Sequence, residues 1–201
     1  MAEPLHASLA VMAGYASGSV PYGLLLARWR RGVDVREVGS GNIGATNVAR
    51  AGGWRLGALV LLLDALKAAV PAYAALRLLP GEVVLHAGVG MAAFLGHVFP
   101  AWLRFRGGKG VACAVGVLAV LLPWAAVAGV CAWGPLLWRT RVMSVSSLVG
   151  AVAAVATGLG LAAVGRAPWP YAGLGAAFLL AMVWTHRENL QRLRRGRELR
   201  T

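Results

Sequence analysis

Long apolar runs, separated by short basic segments, are the feature that most restricts what this chain can fold into. A helix needs about 20 residues to cross the ~30 Å hydrocarbon core of a bilayer, and five runs approach or exceed that length: 5–27, 54–76, 83–102, 148–164 and 171–186. Only 13% of the residues are charged, against roughly 25% in soluble domains. We therefore predict an all-α membrane protein, in which residues 1–201 form a single integral membrane domain.

A sixth apolar stretch, 111–138, decides the number of spans because Pro123 interrupts it. A single span there would place the Arg-rich segments 28–55 and 187–200 on opposite faces, against the positive-inside rule. A helix break at Pro123 instead gives a seven-span helical bundle with the N-terminus outside and the C-terminus cytoplasmic. It also puts 17 of the 20 Lys and Arg on the cytoplasmic face. Because the 28 residues of this stretch cover only ~42 Å as a helix, we expect a short broken hairpin at 111–138.

The first polar motif, residues 39–50, is rich in glycine and amide side chains. Glycine lets backbone N–H groups approach a ligand, and a helix that starts after a Ser or Asn cap offers free N–H donors to an anion. An ordinary capped interfacial helix is the alternative. The close spacing of further polar side chains favours an anion site here, formed by Ser40, Gly41, Asn42, Asn47 and Arg50.

The second motif, residues 104–110, reads Arg-Phe-Arg-Gly-Gly-Lys-Gly. Consecutive glycines can form a nest of N–H groups for a phosphate, and the basic side chains add positive charge. The spacing does not match a Walker A loop, and a tight basic turn between helices is the alternative. We predict substrate contacts from Arg106, Gly107, Gly108, Lys109 and Gly110.

Further polar residues stand at the ends of spans or inside them. Ser144 lies in a serine-rich segment after the fifth predicted span, and His186 and Asn189 share a helix face as i,i+3 neighbours. For all three, ordinary interfacial helix ends are an equally good interpretation. Asp64 and Lys67 are charges inside a predicted span, where burial is costly unless they pair with each other or with a ligand.

Several classes of function do not fit the sequence. The net charge of +13 resides in short segments between apolar runs, which is typical of topology signals and headgroup contacts and not of a nucleic-acid binder. The sequence has no HExxH motif, no Cys/His cluster and no closely spaced carboxylates. Metal-dependent phosphotransfer of the CDP-alcohol phosphatidyltransferase kind needs such ligands, so we predict no metal site.

The motifs together resemble a known family. Residues 39–50, 96–100 with 105–110, and 186–189 are similar, in this order, to the bacterial acyl-phosphate:glycerol-3-phosphate acyltransferases of the PlsY type. The match covers almost the whole chain, and the three motifs in register are far more specific than any one of them. Cys113, where the family pattern has Thr, and Ala68, where it has Gly, depart from that pattern.

The resemblance implies acyl transfer from a fatty acyl phosphate to glycerol 3-phosphate, giving lysophosphatidic acid and phosphate without cofactor, metal or thioester donor. The charge bias predicts a multi-pass protein of the bacterial inner membrane with its active site toward the cytoplasm, and the resemblance adds a loose association with other phospholipid-synthesis enzymes. With the motifs, it predicts catalytic roles for Ser40, Arg50, Lys109, His186 and Asn189. The predicted substrate-binding residues are Gly41, Asn42, Asn47, Lys67, His97, Arg106, Gly107, Gly108, Gly110 and Ser144.

Two alternatives concern mechanism and function. The resemblance implies direct attack, with a substrate phosphate accepting the proton, whereas the positions of His186 and His97 beside polar motifs permit a base acting on Ser40 as nucleophile. A transporter or channel for an organic phosphate would also have several spans, broken helices and basic loops. It would require polar residues from face to face of the bundle, and these cluster on one predicted side.

Overall fold

The computed structural model describes residues 3–200, and within that range the chain is helical with no strand. The α-helices are α1 Pro4–Gly18, α2 Tyr22–Arg31, α3 Ala45–Gly52, α4 Trp54–Leu78, α5 Val83–Val98, α6 Val111–Leu121, α7 Pro123–Thr140, α8 Met143–Ala163, α9 Trp169–Thr185 and α10 Arg187–Arg194. Two 3₁₀ turns, Val35–Glu37 and Ala101–Leu103, lie in the connections. The predicted all-α class is confirmed.

The long helices expose apolar faces that lipid would accept and water would not. By length and composition, four segments suffice to cross a membrane: Pro4–Arg31, Trp54–Leu78, Val83–Leu103 and Met143–Ala163. α6 and α9 are shorter apolar helices. Leu62, Val152 and Leu180 are each more than half exposed, as expected of side chains that face a bilayer.

Proline shapes three helix ends. The predicted first span, 5–27, is interrupted, because α1 ends at Gly18 and α2 begins at Tyr22, immediately after Pro21. The helix predicted over 83–102 stops at Val98, two residues before Pro100, whose ring disfavours helical geometry at the residue before it. The break predicted at Pro123 is present, since α6 ends at Leu121 and Pro123 is the first residue of α7.

The chain doubles back at the Pro123 break. Lys109, which precedes α6, contacts Asn189, and Asn189 in turn donates to Glu198. Ser144, at the start of α8, donates to the same carboxylate. The beginning of α6 and the end of α7 therefore lie at the same end of the bundle.

Small residues let the helices approach closely and fix the positions of the loops. A Cβ built on Gly18 would lie 2.0 Å from the Ala93 carbonyl oxygen, and one on Gly116 would lie 2.2 Å from that of Ala65. Such contacts hold α1 on α5 and α4 on α6, as is common among membrane helices. The result is a bundle that brings the loops around 39–47, 104–110, 141–147 and 186–198 to one end.

Candidate active site

A cavity of ≈620 Å³ opens at the end of the bundle where the polar loops meet. One part of its wall is polar and the rest is apolar, formed by side chains of α4, α6, α7, α8 and α9. The predicted site residues that line it are Ser40, Asn42, Asn47, Arg50, His97, Lys109, Gly110, Ser144, His186 and Asn189. Those that do not line it are Gly41, Lys67, Arg106, Gly107 and Gly108.

Asn47 organises the first motif. Its Nδ2, which has two hydrogens to donate, lies 2.8–2.9 Å from the carbonyl oxygens of Val35, Val38 and Asn42, and its Oδ1 accepts from the Ser40 N–H at 2.9 Å. A buried amide with its donors and acceptor engaged in this way sets the shape of a loop. The geometry therefore favours a positioning role for Asn47, which holds Ser40 at the cavity wall.

Gly41 and Asn42 complete the same loop. Gly41 has a φ of +69°, a backbone conformation that glycine adopts without steric cost. The Asn42 Oδ1 accepts from the Gly44 N–H at 2.9 Å, just before α3 begins. Arg50, on the last turn of α3, extends to the cavity from the other end of that short helix.

The glycines of the second motif do not form an open nest. The Gly107 N–H donates to the Val98 carbonyl and the Gly108 N–H to the His97 carbonyl, both at 3.0 Å. These two N–H groups are therefore already engaged and are not available to a phosphate. A Cβ built on Gly108 would lie 2.0 Å from His97 Nε2, so this glycine is needed for close packing of the loop on α5.

Lys109 carries the positive charge of the second motif into the cavity, where its Nζ donates to Asn189 Oδ1. Burial, the largest cause, acts together with the positive charges of Arg192 and Arg50 to lower the pKa of Lys109 to about 8, against the opposing effect of Glu198. An incoming anion would favour the charged form. The site thus presents an ammonium group whose charge is poorly compensated until a substrate binds.

The hydrogen bond that His186 makes to the backbone identifies which of its ring nitrogens carries the hydrogen. Its Nδ1 lies 2.8 Å from the Met182 carbonyl oxygen, and since a carbonyl only accepts, Nδ1 must be the donor. In the neutral ring Nε2 then carries the free lone pair. His186 is therefore able to accept a hydrogen bond through Nε2 from a ligand in the cavity.

Sequence reasoning did not single out Arg192 and Glu198, which both line the cavity. Glu198 accepts from Ser144 Oγ at 2.8 Å, Asn189 Nδ2 at 2.6 Å and Arg192 Nε at 3.1 Å. Burial raises the pKa of Glu198, but these hydrogen bonds outweigh it and the pKa is lowered overall. This end of the cavity thus holds one carboxylate of the chain itself through three side-chain donors.

Only weak sequence patterns indicate that Arg192 and Glu198 belong to the site. Arg192 belongs to the same helical face as Asn189, three residues earlier. Glu198 is an isolated acid in an Arg-rich tail, and only the fold shows that the tail returns to the site.

A second polar cluster lies deeper in the bundle. Lys67 Nζ lies 2.8 Å from Asp64 Oδ1 and donates to the Val20 carbonyl at 2.6 Å. The pairing expected of two charges within a span is therefore present, and it ties α4 to the break between α1 and α2. His97 Nδ1 lies 3.7 Å from Asp64 Oδ1, and both residues line the cavity. The position of Lys67 favours a structural role over substrate binding.

Comparison with known proteins agrees with this geometry. The family model described as "Glycerol-3-phosphate acyltransferase" matches residues 8–196. The chain belongs to this family. Among curated relatives, the glycerol-3-phosphate acyltransferase of Myxococcus xanthus is 52% identical over 96% of this chain and 98% of its own length. The corresponding protein of Caulobacter vibrioides is 40% identical over 96% and 87%.

The solved structures of the family confirm the resemblance to the PlsY type. The crystal structure of PlsY, an integral membrane glycerol 3-phosphate acyltransferase, in its glycerol 3-phosphate form superposes with a TM-score of 0.90 and 36% identity. That likeness covers 98% of this chain and 96% of the other. The lysophosphatidic acid form gives 0.87 and 35%, over 97% and 95%. Family membership and an integral membrane fold are thus established together.

Proposed function

We propose that the protein transfers the acyl group of a fatty acyl phosphate to a hydroxyl of glycerol 3-phosphate, giving 1-acyl-glycerol 3-phosphate and inorganic phosphate. The observation that carries this proposal is the two-part cavity, with a cationic polar end joined to an apolar arm. The two substrates together also have a charged part, the phosphates, and an apolar part, the fatty chain, which match the polar end and the apolar arm of the cavity. The structures of the PlsY relative in glycerol 3-phosphate and lysophosphatidic acid forms support it.

The polar end would hold two anions together. Arg50, Lys109 and Arg192 supply positive charge. Ser144 and Asn189 supply neutral donors, which the Glu198 carboxylate occupies in this structure. Such charged groups offset the repulsion between two phosphates. Holding the glycerol hydroxyl beside the acyl carbonyl then lowers the barrier by several kcal/mol through proximity alone.

Direct attack is the simplest chemistry for this donor. The glycerol hydroxyl oxygen bonds to the acyl carbon, the bond from that carbon to the phosphate oxygen breaks, and phosphate leaves. The hydroxyl proton passes to a substrate phosphate oxygen. Fixed donors at the polar end would stabilise the oxyanion that forms at the carbonyl.

A covalent route makes a different prediction. It would have Ser40 attack first, with His186 Nε2 or His97 accepting its proton, and all three residues line the cavity. Rapid quenching during turnover, followed by mass spectrometry of the peptide that contains Ser40, separates the two routes. An acyl adduct that forms and decays at the rate of turnover would refute direct attack.

We also propose a topology and a location for the protein. The proposed topology is that of a seven-span protein in the bacterial inner membrane, with its N-terminus outside and its C-terminus and active site on the cytoplasmic side. It is supported by the 17 basic residues that fall on that side and by the gathering of the polar loops at one end. Single cysteines introduced at Gly81 and Arg197, probed with an impermeant thiol reagent in intact cells, should label only at position 81.

The activity is tested with purified protein, palmitoyl phosphate and glycerol 3-phosphate. We expect phosphate release that depends on the acceptor and forms equal amounts of lysophosphatidic acid. Release without acceptor, or movement of glycerol 3-phosphate into liposomes without acylation, would contradict the proposal.

A further inference from the structure

The apolar arm of the cavity has a measurable length. On α8 the lining residues run from Ser144, next to Met143 at the polar end, to Val155, and they also run from His186, which directly follows α9, back to Gly175 on that helix. Each stretch advances eleven residues, or about 16 Å at the helical rise of 1.5 Å per residue. One leaflet of a bilayer with a ~30 Å core is about 15 Å deep, so the cavity, from its polar end to the end of the arm, is about as deep as the leaflet that an ordinary membrane acyl chain fills.

The arm ends on packed side chains. Leu122, at the break between α6 and α7, is 4% exposed and lies against Gly158, whose built Cβ would come within 2.8 Å of Leu122 Cδ2. Beyond it, Ala162 on α8 and Ala172 on α9 are buried and do not line the cavity. Leu122 does not line the cavity either, and the Pro123 break places it in this packed layer, next to the last lining residues of the arm.

Gly175 leaves space just above this floor. A Cβ built there meets only Leu118 Cδ2 and Val155 Cγ2, each 4.0 Å away, which is ordinary van der Waals contact. Both neighbours line the cavity. A longer side chain at position 175 would therefore extend into the arm and fill the part that the end of a fatty chain would occupy.

We propose that Gly175 and Leu122 determine the length of acyl chain that the enzyme prefers. This inference rests on the proposed function, because it assigns the apolar arm to the acyl chain of the donor. The lack of a side chain at Gly175 admits the last methylenes, and Leu122 stops the chain. The alternative path for the chain is outward between α4 and α7, where the lining residues Leu62 and Val130 are 55% and 46% exposed.

The test is an internal competition on the full-length protein in detergent. Equal concentrations of lauroyl and palmitoyl phosphate compete for glycerol 3-phosphate, and mass spectrometry gives the ratio of the two lysophosphatidic acids. That ratio reports relative kcat/KM and does not depend on how much enzyme is folded. Gly175→Leu should lower the palmitoyl-to-lauroyl ratio about tenfold or more, as excluded methylenes do in apolar pockets.

Matched variants make the result specific. Gly173→Leu introduces the same side chain on the same helix at an exposed position with nothing within 4 Å, and it should keep the wild-type ratio. Gly175→Ala should shift the ratio in the same direction by less, and it keeps the test open if the leucine variant does not fold. Leu122→Ala should raise the stearoyl-to-palmitoyl ratio.

Two outcomes would count against the proposal in different ways. An unchanged ratio in both Gly175 variants would show that the chain leaves the cavity between α4 and α7, and would overturn the inference while leaving the acyltransferase intact. If the wild-type protein formed neither the lauroyl nor the palmitoyl lysophosphatidic acid, the proposed function itself would be overturned.

Discussion

The charge on Lys109 should set the alkaline limit of activity. Because its pKa is lowered to about 8, the free enzyme holds Lys109 mostly charged at neutral pH and mostly neutral above about pH 9. Only the charged form attracts the substrate phosphates. We therefore expect kcat/KM to fall about tenfold per pH unit above the pKa, a logarithmic slope of −1.

The bound substrate should move this limit upward. Two phosphates beside Lys109 favour its charged form, so the decline in kcat should begin at a higher pH than the decline in kcat/KM. The assay is acceptor-dependent phosphate release across about pH 6 to 10, a range that brackets the shifted and the usual pKa of lysine. Enzyme-free controls correct for hydrolysis of the acyl phosphate.

Substitution of Lys109 identifies the titrating group. Lys109→Arg keeps the charge at every pH of the assay, so its activity, although lower, should lose the alkaline decline. Lys109→Met should reduce kcat/KM by roughly 10²- to 10³-fold, as removal of one charge-stabilising donor does in other enzymes. A wild-type profile that stays flat to about pH 9.5, or the same decline in the arginine variant, would refute this reasoning.

Two further predictions concern groups that hold the site in place. Lys67→Met leaves Asp64 buried without its ion-pair partner, so it should destabilise the protein by about 3–5 kcal/mol, measured as a lower Tm in detergent. Adding Asp64→Asn should restore part of the lost stability. A double variant as unstable as the single one would contradict the ion-pair explanation. Gly108→Ala forces a Cβ to within 2.0 Å of His97 Nε2 and should abolish activity or folding, whereas Gly134→Ala, with nothing within 4 Å, should leave phosphate release and Tm unchanged.

The sequence was most informative where a residue acts on its own neighbours. Pro123 breaks a helix wherever the helix lies, and the charge balance on either side of it gave independent support for the break. Pro21 acts in the same way, yet the apolar run around it obscured the interruption of the first span. Its consequence, a Val20 carbonyl outside both helices that accepts from Lys67, depends on a contact 47 residues away in the chain.

Long-range contacts account for what the sequence could not predict. The sequence of the second motif predicts that its glycines bind phosphate through their N–H groups, but α5 supplies carbonyls that engage two of these groups. Likewise, no local pattern indicates that Glu198 returns to Ser144 and Asn189. Such pairings depend on tertiary packing and leave no periodic signal in the sequence.

These contacts change the physical explanation of the glycine-rich motifs. If Gly107 and Gly108 bound phosphate directly, the anion site would be a property of one loop and could exist in a short segment. Instead, those glycines bring the loop close to α5 and aim Lys109, while Arg50, Asn189 and Ser144 come from three other elements. The proposed anion site would therefore exist only when the whole bundle is assembled, which would explain why each motif alone is weak evidence and their combination is strong.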